Sequence, residues 1–315
     1  MKTKKLAKPD FRKFKKEFKR DWQLHMVALL PVIYLIIFDF VPMYGLQIAF
    51  RDYRPVHGIT GSAWVGLKWF KNFVGSPDFL EIFGNTIALS LYSFATFPIP
   101  VIFALVLNAL RNEKYKKAVQ TVSYMPHFIS TTVMIGIINM LCSPVSGIYG
   151  NLYRLFGGSG YPIDFRTASS AFRHLYVWSG EWQGLGWSAI IYLAALTSVS
   201  PELHEAAQID GASRFKRIWY IDIPAISTTI AMKLVLSATH IISVGFEKAY
   251  LLQNALNLSV SEVISTYVYK KGMSSFRNYS YGAAVGLFNT AINLTLLFVV
   301  NKIVSKATDG DVTMF

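Results

Sequence analysis

Six stretches of the chain are apolar for long enough to cross a lipid bilayer, and nothing else in the sequence constrains the fold as strongly. A helix crossing about 30 Å of hydrocarbon needs roughly 20 mostly apolar residues, because backbone N–H and C=O groups must be satisfied inside the helix once water is gone. Met26–Phe50 is the first such stretch, broken only by Asp39, two prolines and a few weakly polar residues. Ile82–Leu107, Val119–Leu141 and Tyr281–Val304 are equally clear. His174–Leu196 and Ala225–Tyr250 are more polar, carrying Glu181, Gln183, Lys233, His240 and Glu247. Charged residues make up 16% of the chain, where a soluble domain averages about a quarter, so lipid must cover much of the surface. The expected fold class is an all-α integral membrane protein with six transmembrane helices.

The net charge is +13, and its distribution orients the chain. Lys and Arg accumulate in cytoplasmic loops of membrane proteins. With the amino terminus inside, the inner segments hold 19 basic residues and the outer ones ten. Both termini are therefore expected in the cytoplasm of a bacterial cell, with the chain a multi-pass protein of the inner membrane. Residues 1–23 form a basic tail, 24–306 the transmembrane domain and 307–315 a second cytoplasmic tail. Phe11, Phe14 and Phe18 recur at helical spacing among the basic residues, so the first tail is either a lipid-binding amphipathic helix or a solvated topology signal. No base-reading motif accompanies the charge, which argues against nucleic acid as a partner. The first apolar stretch exceeds the length of a signal peptide and no small-residue cleavage site follows it, so it is expected to be permanent.

The sequence offers no catalytic residues and no metal site. The single cysteine, Cys142, excludes an intrachain disulfide and a cysteine-rich metal centre. No Gly-Lys dipeptide occurs, so the phosphate-cradling GxxxxGK[ST] loop is missing. HExxH and GxSxG motifs are missing too, and the six histidines are scattered.

The segment from Pro201 to Pro224, residues 200–224 with its flank, lies between two spans on the expected cytoplasmic side, yet contains Leu203, Ala206, Ala207, Ile209, Phe215, Ile218 and Trp219. Pro201 suits a first helical turn, Glu202 and Glu205 favour a helix amino end, and Gly211 permits a sharp turn. A short helix, a glycine turn and a second short helix are expected. This segment resembles the EAAxxxG signature, followed nine residues later by IxLP, of permease subunits of bacterial ABC importers. Glu205, Ala206, Ala207, Gly211, Ile221 and Pro224 match in identity and spacing, and Ile223 stands where Leu is usual. Tyr192-Leu-Ala-Ala-Leu196 and Ile209-Asp-Gly-Ala212 look like the carbohydrate branch, and Tyr124-Met-Pro-His-Phe-Ile-Ser130 is similar to the LplB-like sub-branch of polysaccharide and uronic-acid oligosaccharide permeases.

The resemblance implies the type I importer permease fold, with Glu205, Ala206, Ala207, Asp210 and Gly211 in a coupling helix that docks on a separate ATPase. ATP and Mg would be bound by that partner, and this chain would need no cofactor. Implied partners are a second permease subunit, two ATPase subunits and an extracytoplasmic sugar-binding protein, besides membrane lipid. The implied function is ATP-driven import of an oligosaccharide or polysaccharide, with the basic outer loops hinting at an acidic one. An ion-coupled secondary transporter is the alternative, although no strong internal repeat supports it.

Polar residues within spans mark candidate substrate contacts, because they are costly in lipid and usually face a bundle interior. Lys233, Ser237, His240, Val244 and Glu247 follow helical spacing in the fifth stretch, and Gly282, Gly286, Asn289 and Asn293 do so in the sixth. Ser237, His240, Asn289 and Asn293, with Trp187 and Tyr192 as stacking surfaces, are the pathway candidates. Helix-to-helix hydrogen bonding explains the same pattern. Lys233 and Glu247, nearer the ends, are expected to snorkel to the interface. Trp178 and Trp182 read better as interfacial anchors, and Asp39 as a buried partner of a basic residue.

Overall fold

A computed structural model describes residues 20–238, 242, 244–273 and 278–307. It divides into two units, Met1–Gly66 and Leu67–Phe315.

In the first unit, α1 (Trp22–Leu35) continues through a π turn at Ile36–Phe40 and a 3-10 stretch at Tyr44–Phe50, giving a mostly apolar helical run of 29 residues. Asp39, expected to be buried, sits exposed in the π turn. The helix ends in a two-stranded antiparallel hairpin, β1 (Arg51–Arg54) and β2 (Gly58–Trp64), which the all-α expectation lacked. Gly58, at φ 63°, makes the reversal. Buried Ser62 then fixes it, donating to the Gly58 carbonyl at 2.6 Å and accepting from the Arg54 amide at 3.1 Å.

The second unit is helical. A short α2 (Lys68–Val74) leads into α3 (Phe79–Ala95) and α4 (Pro98–Asn108), which together form one 30-residue span. The third expected span is not straight. α5 (Glu113–Tyr124), extended by a 3-10 turn to Phe128, and α6 (Thr131–Leu141) meet at 102°. Pro126 removes a backbone donor, and extended Ser130 caps α6 by accepting from the Val133 amide, so the chain changes direction there. α7 (Ile148–Leu155) precedes the long α8 (Ser169–Leu196).

After α8 come α9 (Pro201–Ile209), α10 (Arg214–Arg217), a π turn at Ile218–Asp222, and α11 (Ile223–Ala238). The fifth span therefore runs from Arg214 to Ser237, not from Ala225 to Tyr250. α12 (Phe246–Leu252) is a separate helix, which takes Val244 and Glu247 off the expected stripe; Glu247 instead accepts from the Thr132 hydroxyl at 3.3 Å. α13 (Leu258–Ser261), α14 (Ile264–Met273) and α15 (Tyr279–Ala307) complete the bundle.

Among the described residues four apolar clusters hold the unit together, the two largest packed on α8. One joins Leu89, Met134, Phe172, Val177 and Leu252, and the other joins Ala104, Leu107, Ala189, Leu193, Leu196 and Ile226. In both, α8 is the shared wall. Most span surface remains apolar and outward, since no span buries more than a third of its most apolar window. That inside-out distribution suits a lipid solvent. A polar knot closes the side opposite α9: Asn254 and Asn257 both donate to the Arg166 carbonyl, and Arg166 binds Asp164 Oδ1 through Nε at 2.8 Å. The guanidinium holds the Asp164 carboxyl below the usual carboxylate range.

Candidate functional site

Two features carry the chemistry of the second unit: a projecting helix-turn-helix and a polar cavity.

α9 leaves α8 at 77°. The Ser200 hydroxyl caps it by accepting from the Glu202 amide at 3.3 Å, Pro201 occupies its first position, and Glu202 lies in its first turn. Its other end is a Schellman cap. The Ala212 amide donates to the Ala207 carbonyl at 2.8 Å and the Gly211 amide to the Gln208 carbonyl at 3.1 Å, with Gly211 at φ 75°. Only the left-handed backbone closes both bonds, which explains glycine at this position. Glu205, Ala206, Asp210 and Gly211 lie together on the exposed side, with Ala207 half-buried beside them. Ile209 is 87% and Phe215 72% exposed. The tip is thus apolar and uncovered, and two alanines beside it leave room for close approach.

A close polar contact that the sequence did not suggest lies at the base of α9. His204 Nε2 lies 3.2 Å from Oδ1 of Asp222, whose side chain is only 5% exposed. The available signal was a lone carboxylate between Ile221 and Ile223.

The cavity has a volume of about 340 Å³ and lies between the α3–α4 span, α8 and α11. Ser90, Ser93, Thr96, Glu181, Ser188, Tyr192, Lys233 and Ser237 line it. The Thr96 hydroxyl donates to Glu181 Oε1 at 2.6 Å, while Ser90 Oγ is buried without a partner. Lys248 donates to the Tyr176 carbonyl, and its ammonium lies 2.7 Å from where a Cβ on Gly180 would stand, so Gly180 makes room for it. Hydroxyls, one carboxylate and one lysine thus line a space that can hold a hydrated polar solute, with Lys248 packed behind its wall.

The pathway candidates separate. Ser237 and Tyr192 lie on the cavity wall. Lys233, expected at the interface, lies there too, because the fifth span starts at Arg214, eleven residues before the expected Ala225, and Lys233 falls inside α11. Trp187 points elsewhere, stacked on His127 at 4.5 Å and 3°. Asn293 accepts from the Ile242 amide at 3.1 Å, a helix-packing role, and Asn289 Oδ1 is buried away from the cavity lining. His240 lies outside the described residues. Sequence reasoning missed Ser90, Ser93, Thr96 and Glu181, because hydroxyls in an apolar run do not reveal which face they share.

Residues 97–309 match the family described as the inner membrane component of binding-protein-dependent transport systems. The chain belongs to this family. It is accordingly a multi-pass membrane transport subunit and not an enzyme. The permease is 41% identical over 284 residues to the polygalacturonan/rhamnogalacturonan transport system permease protein YteP of Bacillus subtilis, covering 90% of this chain and 88% of that one. It is 40% identical over 289 residues to protein LplB of the same organism, covering 91% and 90%. Its fold superposes with a TM-score of 0.84, at 36% identity and 93% and 99% coverage, on a chain of a bacterial ABC transporter involved in import of the acidic polysaccharide alginate. A chain of a bacterial alginate ABC transporter in complex with an alginate pentasaccharide-bound periplasmic protein matches with the same TM-score, at 35% identity and 95% and 99% coverage. The LplB-like resemblance read from Tyr124–Ser130 thus agrees with the relatives.

Proposed function

We propose that this permease carries an acidic, uronate-containing oligosaccharide or polysaccharide into the cell, driven by a separate ATPase that docks on α9. The carrying observation is the pairing of an uncovered, Schellman-capped α9 with a hydroxyl-rich cavity at the other side of α8. In this reading the ATPase binds ATP and Mg, and its closure pulls on Glu205, Ala206, Ala207, Asp210 and Gly211. His204 and Asp222 pass the motion to α11, whose Lys233 and Ser237 line the cavity. The bundle then exchanges outward and inward openings.

A polyuronate presents carboxylates and hydroxyls in alternation. Lys233 supplies a charge-assisted donor for the first, and Ser90, Ser93, Ser188 and Ser237 supply partners for the second. The names of YteP and of the alginate importer support the acidic class. The working carrier is a pair of different permeases with two ATPases and an extracytoplasmic binding protein, and both termini of this chain are cytoplasmic. Uptake of labelled oligogalacturonate in cells treated separately with an uncoupler and with an ATP-depleting agent tests the proposal. Uptake that survives the uncoupler and stops on ATP depletion is expected; the opposite pattern would make the chain an ion-coupled carrier.

A further inference from the structure

A second concavity, of about 250 Å³, lies beneath α9, between that helix, the end of α4 and the chain from Arg214 to Asp222. Three guanidiniums line it, those of Arg111, Arg214 and Arg217, together with His204, Gln208 and a single carboxylate, Asp222. Among the described residues none of the three arginines is in an ion pair, and Arg217 Nε is sealed from solvent without a hydrogen-bond partner. Asp222 lies 3.2 Å from His204 and interacts electrostatically with both His204 and Arg217, but its Oδ1 makes no hydrogen bond, and one carboxylate does not offset three arginines. The wall therefore carries an excess of fixed positive charge and at least one buried donor with nothing to donate to, an arrangement that costs free energy until an acceptor fills it.

We propose that this concavity binds a phosphate-bearing anion. Planar guanidiniums match tetrahedral oxyanions through paired N–H donors, and three of them around a space smaller than the usual 300–1,000 Å³ of a small-molecule cleft suit one phosphate group. The source is either the phosphodiester of an anionic phospholipid or free phosphate. The surroundings favour the lipid: Phe215, Trp219 and Tyr220 are exposed on the neighbouring turn, as rings are where headgroups meet hydrocarbon, and basic cups at that level bind anionic headgroups. An acidic side chain of the ATPase is a weaker occupant, since His204 lies on the half-buried side of α9 while Glu205, Ala206, Asp210 and Gly211 are exposed. The inference rests on the proposed orientation only for the choice of leaflet. A lipid phosphate here would brace the base of the coupling segment.

The test uses the full-length chain, purified with its accompanying subunits and delipidated. Its unfolding temperature is titrated with phosphatidylglycerol, phosphatidylcholine or inorganic phosphate. Phosphatidylglycerol is expected to raise it saturably and phosphatidylcholine not, with R111Q/R217Q weakening the apparent affinity about tenfold or more and R111K/R217K recovering part of it. Saturation by inorganic phosphate alone keeps the assignment and makes the ligand the free ion. Equal shifts from both phospholipids with none from phosphate, or a glutamine variant that responds as the parent does, would overturn it. ATPase copurification of Glu205→Lys reports on docking separately: the ATPase retained by that variant, with its phosphatidylglycerol response intact, would count against the coupling reading and leave this one standing.

Discussion

Asp222 illustrates how one side chain can decide whether a moving part transmits force. Its carboxylate is buried where α11 begins, and His204 on α9 is its near neighbour at 3.2 Å. Truncation by His204→Ala leaves that carboxylate without its partner, at a cost of about 1–3 kcal/mol. The expected outcome is a lower unfolding temperature and fewer sugars imported per ATP hydrolysed, with His204→Gln, which keeps a donor, recovering most of both. Unchanged stoichiometry in His204→Ala would show that the pair only packs. Arg166 and Asp164 set a second residue-level expectation. The carboxyl is held below its unfolded value by the guanidinium, so its contribution is complete above about pH 4 and is lost as the pH falls through the lower folded value. Limited proteolysis of the Phe156–Ala168 segment should therefore be slow and flat from neutral pH down to about 5, and faster in Asp164→Asn throughout that range. Equal cleavage of the two proteins at pH 7 would remove the pair from the account. These two pairs were not legible in the sequence, because a charge in an apolar run announces that it needs a partner without naming it. Lys233 shows the same gap, having been placed at the interface by its distance from an apolar boundary that the helix overruns.

At the level of elements, α9 and its turn were readable in detail while the neighbouring spans were only partly so. Pro201, Gly211 and the alanine pair have local consequences, a first turn, a left-handed residue and a close approach, and local consequences survive in a sequence. The bend of 102° between α5 and α6 did not, because hydropathy measures how long a stretch is apolar and not which way it points. Pro126 and Ser130 were the clues, and both lay inside a run that looked continuous. The β1–β2 hairpin was hidden for a similar reason, being held by Ser62 and Gly58 and not by alternating apolar residues. The Gly211 turn gives a direct test. No atom crowds a Cβ there, so the penalty for a side chain is that of the left-handed backbone, about 1–2 kcal/mol. Gly211→Val should uncouple uptake from ATP hydrolysis without reducing membrane insertion, while Gly211→Asn should be milder. Equal effects of the two would argue for a steric cause instead. In the cavity, Lys233→Gln should lower uptake of uronate oligomers about tenfold more than uptake of neutral ones, since it removes a charge-assisted contact and keeps a polar group. An equal loss for both classes would take Lys233 out of substrate recognition.

Across the second unit, α8 is the common wall of the two largest apolar cores and of the cavity. The proposed function also implies a topology. A cysteine introduced at Ser213 should be labelled only from the cytoplasm and one at Gly158 only from outside, and labelling of Ser213 in intact cells by an impermeant reagent would invert the arrangement. The central claim is that an ATPase drives this permease through the exposed side of α9, where Glu205 projects beside Ala206. The most direct measurement is copurification of the ATPase, together with uptake per membrane-inserted permease, for Glu205→Lys. Charge reversal on an uncovered helix leaves the bundle untouched, so normal membrane abundance with loss of both the bound ATPase and uptake is the predicted result. Full ATPase recovery with full uptake in Glu205→Lys would contradict it.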